Sequence, residues 1–311
     1  MNITKSFGNQ SVKDSPFQRK ARLLQSFYRT IFLMEDCGNG PSIHGPLRGN
    51  MLKNGEVTGK NFLSRDIFEY AINRVNHKKE YETIDSYRLF NNMLSSQPMC
   101  FNLFYPLMAA LKNHNDFVTQ TFQQLLPHLN IAKIIRIEIE FIPPNYKDLI
   151  NDKSAFDAFI EYQTLTMKTG IIGIETKYTD VLGLNTGKNT RIHPDLVTLF
   201  TPTAMAEIEE KGCCQLTRNF LLTETYRIHT VSDASTSIIL APKDEPHASD
   251  EFTNYKAKLQ TNFHNKIVRL CLEDFVDVIK RNCPTAYLNV WIDTFYNRYL
   301  NFDLVSEYFT K

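Results

Sequence analysis

The 311-residue chain has no C-x-x-C pair, no glycine-rich phosphate loop, no internal repeat and no low-complexity tract. Each absence narrows the field. Six cysteines are scattered as Cys37, Cys100, Cys213, Cys214, Cys271 and Cys283. Without paired spacing they do not read as a zinc ribbon or finger. The scatter suits reduced thiols in a cytosol. The adjacent Cys213 and Cys214 have no partnered histidine and do not read as thiol nucleophiles. Lack of a P-loop argues against an intrinsic ATPase motor, so no nucleotide cofactor is expected. The longest apolar stretch, Pro98 to Leu111, contains Asn102 and is too short to span a bilayer. Met1 to Gly8 lacks the apolar core of a signal peptide. These features predict a soluble cytoplasmic protein with no membrane partner.

There is also little net charge, +1 at neutral pH, and by itself it points to no partner. Its distribution is uneven. Residues 1–100 carry 14 Lys and Arg against 9 Asp and Glu, and the rest carry 21 against 25. A basic N-terminal third is compatible with phosphate contacts, and equally with an ordinary solvated surface. Hydrophobic residues make up 42%, enough for a sizeable core.

Residues 1–15 are polar and predicted mobile. Phe17 to Leu33 reads as a helix carrying Arg19, Lys20 and Arg22. Residues 36–61 are rich in glycine and proline and read as a long loop, with Arg48, Lys53 and Lys60 as its basic members. Phe62 to Val75 and Ile84 to Ser96 have helical spacing. Pro98 sits in the first turn of a further helix that Ser95 or Ser96 can cap, and Pro106 is expected to kink it. Asn102 inside it reads as a buried residue bonded to backbone.

Ile131 to Ile142 alternates as a strand, with Ile135, Ile137, Ile139 and Phe141 on one face and Arg136, Glu138 and Glu140 on the other. Ala155 to Tyr162 and Gly170 to Tyr178 follow as two strands of a hairpin closed by Thr164 to Thr169. The chain is polar from Thr179 to about Pro194, then helical to His229 with a possible break at Gly212. Ser235 to Ala241 is a short apolar strand. Val268, Leu272, Phe275, Val276 and Ile279 make an apolar helical stripe. The core order is helix, three strands, helix, strand: an α/β layered fold and not an alternating βαβ array. Three regions follow: a basic 1–60, a core over 61–245, and a helical C-terminal extension over 246–311 that packs back on the core.

The hairpin carries the chemistry. Glu175 and Lys177 are two apart on one strand, so they share a face, and Asp157 lies on the neighbouring strand. Asp157 and Glu175 are hard oxygen ligands for Mg²⁺ or Mn²⁺, and the Thr176 carbonyl can add a third oxygen. Such a cation activates water for attack on phosphate. Lys177 can orient or deprotonate that water and stabilise the charged transition state. The competing reading is a polar edge on a half-buried hairpin, since charged residues commonly alternate with apolar ones there.

Asp157 and Glu175-x-Lys177, with seventeen residues between the acids, resemble the PD-(D/E)XK nuclease superfamily. That superfamily places an acid at the start of its second core strand and E-x-K on its third. The apolar flank Ile171-Ile172-Gly173-Ile174 fits, and Phe156 replaces the nominal proline. The segment Leu94 to Phe104, with Phe156-Asp157 and Gly173 to Tyr178, is similar to a group of bacterial restriction endonucleases within it. The resemblance covers roughly residues 60–240. It implies a mixed central sheet flanked by helices, restriction-endonuclease-like, of order αβββαβ. It also implies a metal-dependent DNA endonuclease acting in restriction or defence against foreign DNA, with a homodimer for cutting two strands. In related nucleases the helix after the third strand supplies polar residues. Gln215 is then expected to position Lys177 or the water as part of the catalytic set, and Arg218 and Asn219 to bind substrate. Relatives also place an acid on the first core helix, where Asp85 is available. Glu138 and Glu140 read mainly as a solvated face, and Glu161 is too far along its strand for the same metal. His193 and His229 read as packing residues. The alternative is a catalytically inactive nucleic-acid-binding or partner-docking subunit of the same fold.

Overall fold

The computed structural model describes residues 6–180 and 187–308. Part of the polar stretch from Thr179 to Pro194 therefore lies outside the described residues. Among the described residues there are seven strands: β1 (Cys37–Asn39), β2 (Leu47–Leu52), β3 (Ile131–Phe141), β4 (Phe156–Thr164), β5 (Thr169–Thr176), β6 (Ala234–Ala241) and β7 (Ile267–Cys271). The main helices are α1 (Pro16–Tyr28), α2 (Arg65–Asn76), α3 (Ser86–Asn91), α4 (Ser96–Ala110), α5 (Asn115–Leu125), α6 (Pro202–Lys211), α7 (Gln215–His229), α8 (Pro246–Lys256), α9 (Leu272–Asn282) and α10 (Ala286–Tyr299).

The central sheet runs β3-β4-β5-β6-β7. The first three strands are antiparallel neighbours, and β6 and β7 add in parallel. Alternation along each strand sends side chains to opposite faces. Ala158, Ile160, Ile172, Ile174, Ile238 and Leu240 enter a core shared with α4, α5, α9 and α10. Phe159, Ile171, Ile239 and Ala241 enter a second core shared with α6, α7 and α8. This is the mixed, helix-flanked α/β architecture that the resemblance implies. No helix among the described residues is long and apolar enough to cross a membrane.

Several expectations shift. Val268 lies on β7 and not on the α9 stripe, so the region after residue 246 also supplies the last strand of the sheet. A five-residue strand buried beside β6 has too little length for its period to stand out from a helical one. In β3, a register shift between Ile134 and Arg136 turns Ile135 outward, 49% exposed, and Ile134 takes the core place instead. The stretch 36–61 is not a plain loop, because β1 and β2 pair across it. Residues 6–15 are held: the Phe7 ring packs on Phe27 and Tyr308, and Gly49 donates its backbone N–H to the Asn9 carbonyl at 2.9 Å.

Helix α4 runs through Pro106, which has no N–H to give to the Asn102 carbonyl. The Trp291 indole takes that place, donating to Asn102 O at 2.8 Å. The Asn102 amide is buried as expected, bonded to Leu63 N, Asn61 O and Tyr299 Oη. This welds the middle of α4, whose first turn faces the site, to α10.

Candidate active site

One rung of the sheet carries three acids. Ile139 pairs with Ala158, and Ala158 with Ile174. The next positions along the same register are Glu140, Asp157 and Glu175, one on each of β3, β4 and β5. Lys177 follows Glu175 on the same face, just past the end of β5, where its backbone N–H bonds Leu240 O at 2.8 Å. The sheet thus delivers all four side chains to one end of the molecule.

Helix α7 closes over them, and glycine lets it come near. A Cβ on Gly173 would stand 2.5 Å from Thr223 Oγ1 on α7 and 2.6 Å from the Phe156 ring. Only glycine permits that approach. At the other end, Gly212 adopts φ +82° between α6 and α7 and breaks the helical region in two. The first turn of α7 then points into the site. Gln215 Nε2 donates to Glu175 Oε1 at 2.6 Å, and Asn219 Nδ2 donates to Glu175 Oε2. Lys177 Nζ lies 2.6 Å from Glu175 Oε1 and 3.3 Å from Gln215 Oε1. Gln215 therefore bridges acid and lysine.

Asp157 is held from its own strand pair. Its Oδ2 accepts from Thr176 N at 2.7 Å and Thr176 Oγ1 at 2.8 Å, and its backbone carbonyl accepts from Cys100 Sγ at 3.1 Å. Glu140 is buried with φ +53° and accepts from Gln97 Nε2 at 3.0 Å. Crowding of like charge marks the site electrostatically. Burial, then Glu175, then Glu140 push the Asp157 carboxyl well above the usual range. Burial raises Glu140 to about 7, and Glu175 adds to the shift. For Lys177, burial opposes the charge, but Glu175 and Asp157 outweigh it and hold the ammonium protonated to higher pH than usual.

These groups line a cavity of about 640 Å³. Its wall carries six acids (Asp85, Glu140, Asp152, Asp157, Glu175 and Asp180) against Arg88, Lys153, Lys177 and Arg218. Asp180 is held by Arg88 at 3.1 Å and by the Ser96 backbone N–H at 3.0 Å. Arg218 reaches the cavity with Nε 3.2 Å from Ser154 Oγ and Nη1 2.8 Å from Cys213 O.

A sequence model of the PD-(D/E)XK nuclease superfamily matches residues 12–301. The chain belongs to that superfamily. No curated protein and no solved structure matches it. Membership places it among nucleases, and nucleases of this superfamily generally use divalent metals. For the PD-(D/E)XK core, the sheet brings together the sequence-picked Asp157, Glu175, Thr176 and Lys177, and α7 adds Gln215, Arg218 and Asn219. Asn219 is turned onto Glu175. Asp85 lines the cavity while capping α3, its side chain accepting from Arg88 N at 3.0 Å. Glu138 is drawn off by Arg136 at 2.6 Å, and Glu161 pairs with the same arginine at 3.3 Å.

Sequence reasoning undervalued Glu140. Its parity put it beside Glu138 on one face of β3, and nothing in the local pattern showed the positive φ that re-aims it. Gln97 and Asp180 were also missed. Their only signal was position, at the start of the helix that carries the restriction-enzyme-like segment and three residues after Lys177.

Proposed function

We propose that this protein is a metal-dependent DNA endonuclease that hydrolyses phosphodiester bonds, with Asp157, Glu175 and Lys177 at its centre. The supporting observation is the rung Glu140–Asp157–Glu175 beside a buried lysine at the floor of an open polar cavity. A structural ion pair needs no such excess of carboxylate.

The donor set fits Mg²⁺ or Mn²⁺. All the oxygens are hard, and three acids share one region with a single ammonium in contact. Asp157, Glu175 and the Thr176 carbonyl would hold the ion. Among the described residues no three acids, histidines or cysteines converge tightly enough to ligate as they stand. Lys177, Gln215 and Asn219 all engage the Glu175 carboxylate, and Thr176 engages Asp157. When bound, the metal supplies an activated water and charge neutralisation at the phosphate. The residues do the rest. Lys177, kept protonated, donates to the charge that develops on the phosphate oxygens. Gln215 fixes the ammonium in place. Arg218, anchored by Ser154, faces the cavity as a phosphate contact.

Restriction of foreign DNA is the role this reading favours, with a homodimer for double-strand cutting. The six unpaired thiols fit a cytoplasmic setting. The test is cleavage of plasmid and linear DNA in Mg²⁺ or Mn²⁺, with wild type beside Lys177→Ala and Asp157→Ala. Cutting that EDTA and both substitutions abolish supports the reading. Cutting that survives them removes this site from consideration. A wild type that binds DNA and never cuts it favours a non-catalytic binding subunit.

A further inference from the structure

The catalytic cavity does not end at the acids. Asp180 lines it and also lines a second cavity of about 290 Å³, whose wall includes Gln18, Arg22, Arg48 and Asn50. Arg48 and Ser11 in turn line a third cavity of about 500 Å³ together with Arg19. The three form a series that leads from the reacting centre over α1 and the β1–β2 hairpin.

The charge changes sign along it. The catalytic cavity has more acids than bases. The second has two arginines against Asp180, and the third has Arg19 and Arg48 with no acid on its wall. Partnering sharpens the contrast. Asp180 is already matched by Arg88, and Arg22 by Asp14, with Nη2 3.0 Å from Asp14 Oδ1. Arg48 gives one N–H to the Gln10 carbonyl at 3.0 Å, and no carboxylate pairs with it or with Arg19 among the described residues. These are two uncompensated cations in a trough.

The trough is also firmly built. Gln18 Nε2 donates to Thr179 O at 3.0 Å, tying α1 to the chain just after the catalytic strand. Arg22 holds Asn50, and Asn50 holds Asn92 at 3.0 Å. The position of the arginines relative to Lys177 is therefore fixed by the fold and not by a free arm.

We propose that this arginine trough binds the phosphodiester backbone of the DNA flanking the cleaved bond, with Arg48 and Arg19 as its phosphate contacts. The inference rests on the nuclease reading above. An acid-rich centre repels the polyanion it must hold, and cations beside it offset that repulsion without entering the chemistry. Arginine forks, amides and hydroxyls are the groups that grip phosphate and sugar without reading sequence. The contact is thus sequence-independent and sets affinity and register.

The test uses the full chain in the Lys177→Ala background in Mg²⁺, with a labelled DNA duplex followed by anisotropy at several salt concentrations. Each of Arg19→Ala and Arg48→Ala should weaken binding several-fold. Together they should flatten the plot of log K against log[salt] by about 2, close to one unit per lost phosphate contact. Arg48→Lys should keep the slope, and Lys168→Ala, on the far β4–β5 turn, should change nothing. Arg48 also bonds the Gln10 carbonyl, so thermal melts accompany it. Exposed Arg19 makes no such bond and carries the test if Arg48→Ala melts early. Unchanged affinity and slope in both arginine variants, while the parent binds and wild type cuts, overturn the trough alone. A parent that fails to bind and a wild type that fails to cut overturn the nuclease reading, and the trough falls with it.

Discussion

Helix α7 serves two buried charge networks, and they differ in one respect. At its first turn, Gln215 and Asn219 reach Glu175, which contacts Lys177. Further along, Glu224 is itself buried and accepts from Lys266 at 2.8 and 3.0 Å, Ser235 at 2.6 Å and Arg227 at 3.3 Å. Both are glutamates taken out of water and given a lysine. Around Glu224, two cations and a hydroxyl answer one carboxylate. Around Glu175, three carboxylates share one contacting ammonium, and the group opens on a cavity. Buried ion pairs are common and prove little about function. A surplus of one sign held against its own repulsion is the informative feature, because the fold maintains it at a cost.

That contrast is broken most directly by removing each lysine. Lys177→Ala should lower DNA cleavage by about 10³-fold or more, in the range for a group that meets transition-state charge. It should not lower stability to match, since it leaves Glu175 with two amide donors. Turnover assays and thermal melts on the same preparation check both. Equal losses of stability and cleavage would mean that Lys177 is merely structural.

Lys266→Met is the mirror experiment. It leaves buried Glu224 with Arg227 and Ser235 only. A loss of about 2–4 kcal/mol is expected, toward the low side for a broken buried pair because Lys266 keeps part of its surface in water. Cleavage per folded molecule should stay at the wild-type level. Urea unfolding with a parallel activity assay reads both quantities. A variant that folds normally and cannot cut would move function to the wrong network.

How much of this was legible beforehand follows the length of each signal. The strands at 131–142, 155–162, 170–178 and 235–241 all appear, because alternation or unbroken apolar character over several residues leaves few alternatives. Glu175 and Lys177 could be set together by strand parity, and Asp157 beside them by the hairpin that joins the two strands. Four things could not be read. The Ile267–Cys271 strand is defined by its partner β6 and not by its own pattern. The Asn115–Leu125 helix and the β1–β2 hairpin are held by tertiary contacts such as Asn115 to Ile134 O, at 2.9 Å. The turn of Glu140 into the site depends on a backbone at φ +53°, which no side-chain pattern encodes.

Glu140 supplies the next test, through pH. Its folded carboxyl titrates near 7, above the ordinary glutamate value of 4.5. A raised acid binds its proton more tightly in the folded state, so its contribution to stability falls as pH rises from 4.5 to 7 and is flat beyond. Glu140→Gln removes that penalty and keeps an oxygen for Gln97. In EDTA the variant should be about 1–3 kcal/mol more stable than wild type above pH 7, with the gap closing as pH falls toward 4.5. Melts across pH 4.5–8 measure the gap. A variant less stable than wild type at pH 8 would show that Glu140 is compensated like Glu224, and the surplus at the site would shrink to two acids.

The finest distinction concerns one hydrogen-bonding side chain in each network. Gln215 touches the lysine and the acid it serves, and no core depends on it. Gln215→Ala should reduce kcat about 10-fold, the order of one charge-assisted hydrogen bond, with KM for DNA and the melting temperature little changed. Ser235→Ala should do the reverse, costing about 1 kcal/mol of stability through the lost bond to Glu224 and leaving kcat alone. A merely structural Gln215 would move the melt and spare the kcat–KM split. If Gln215→Ala raises KM instead, the glutamine contacts substrate, and Lys177 is positioned by Glu175 without it.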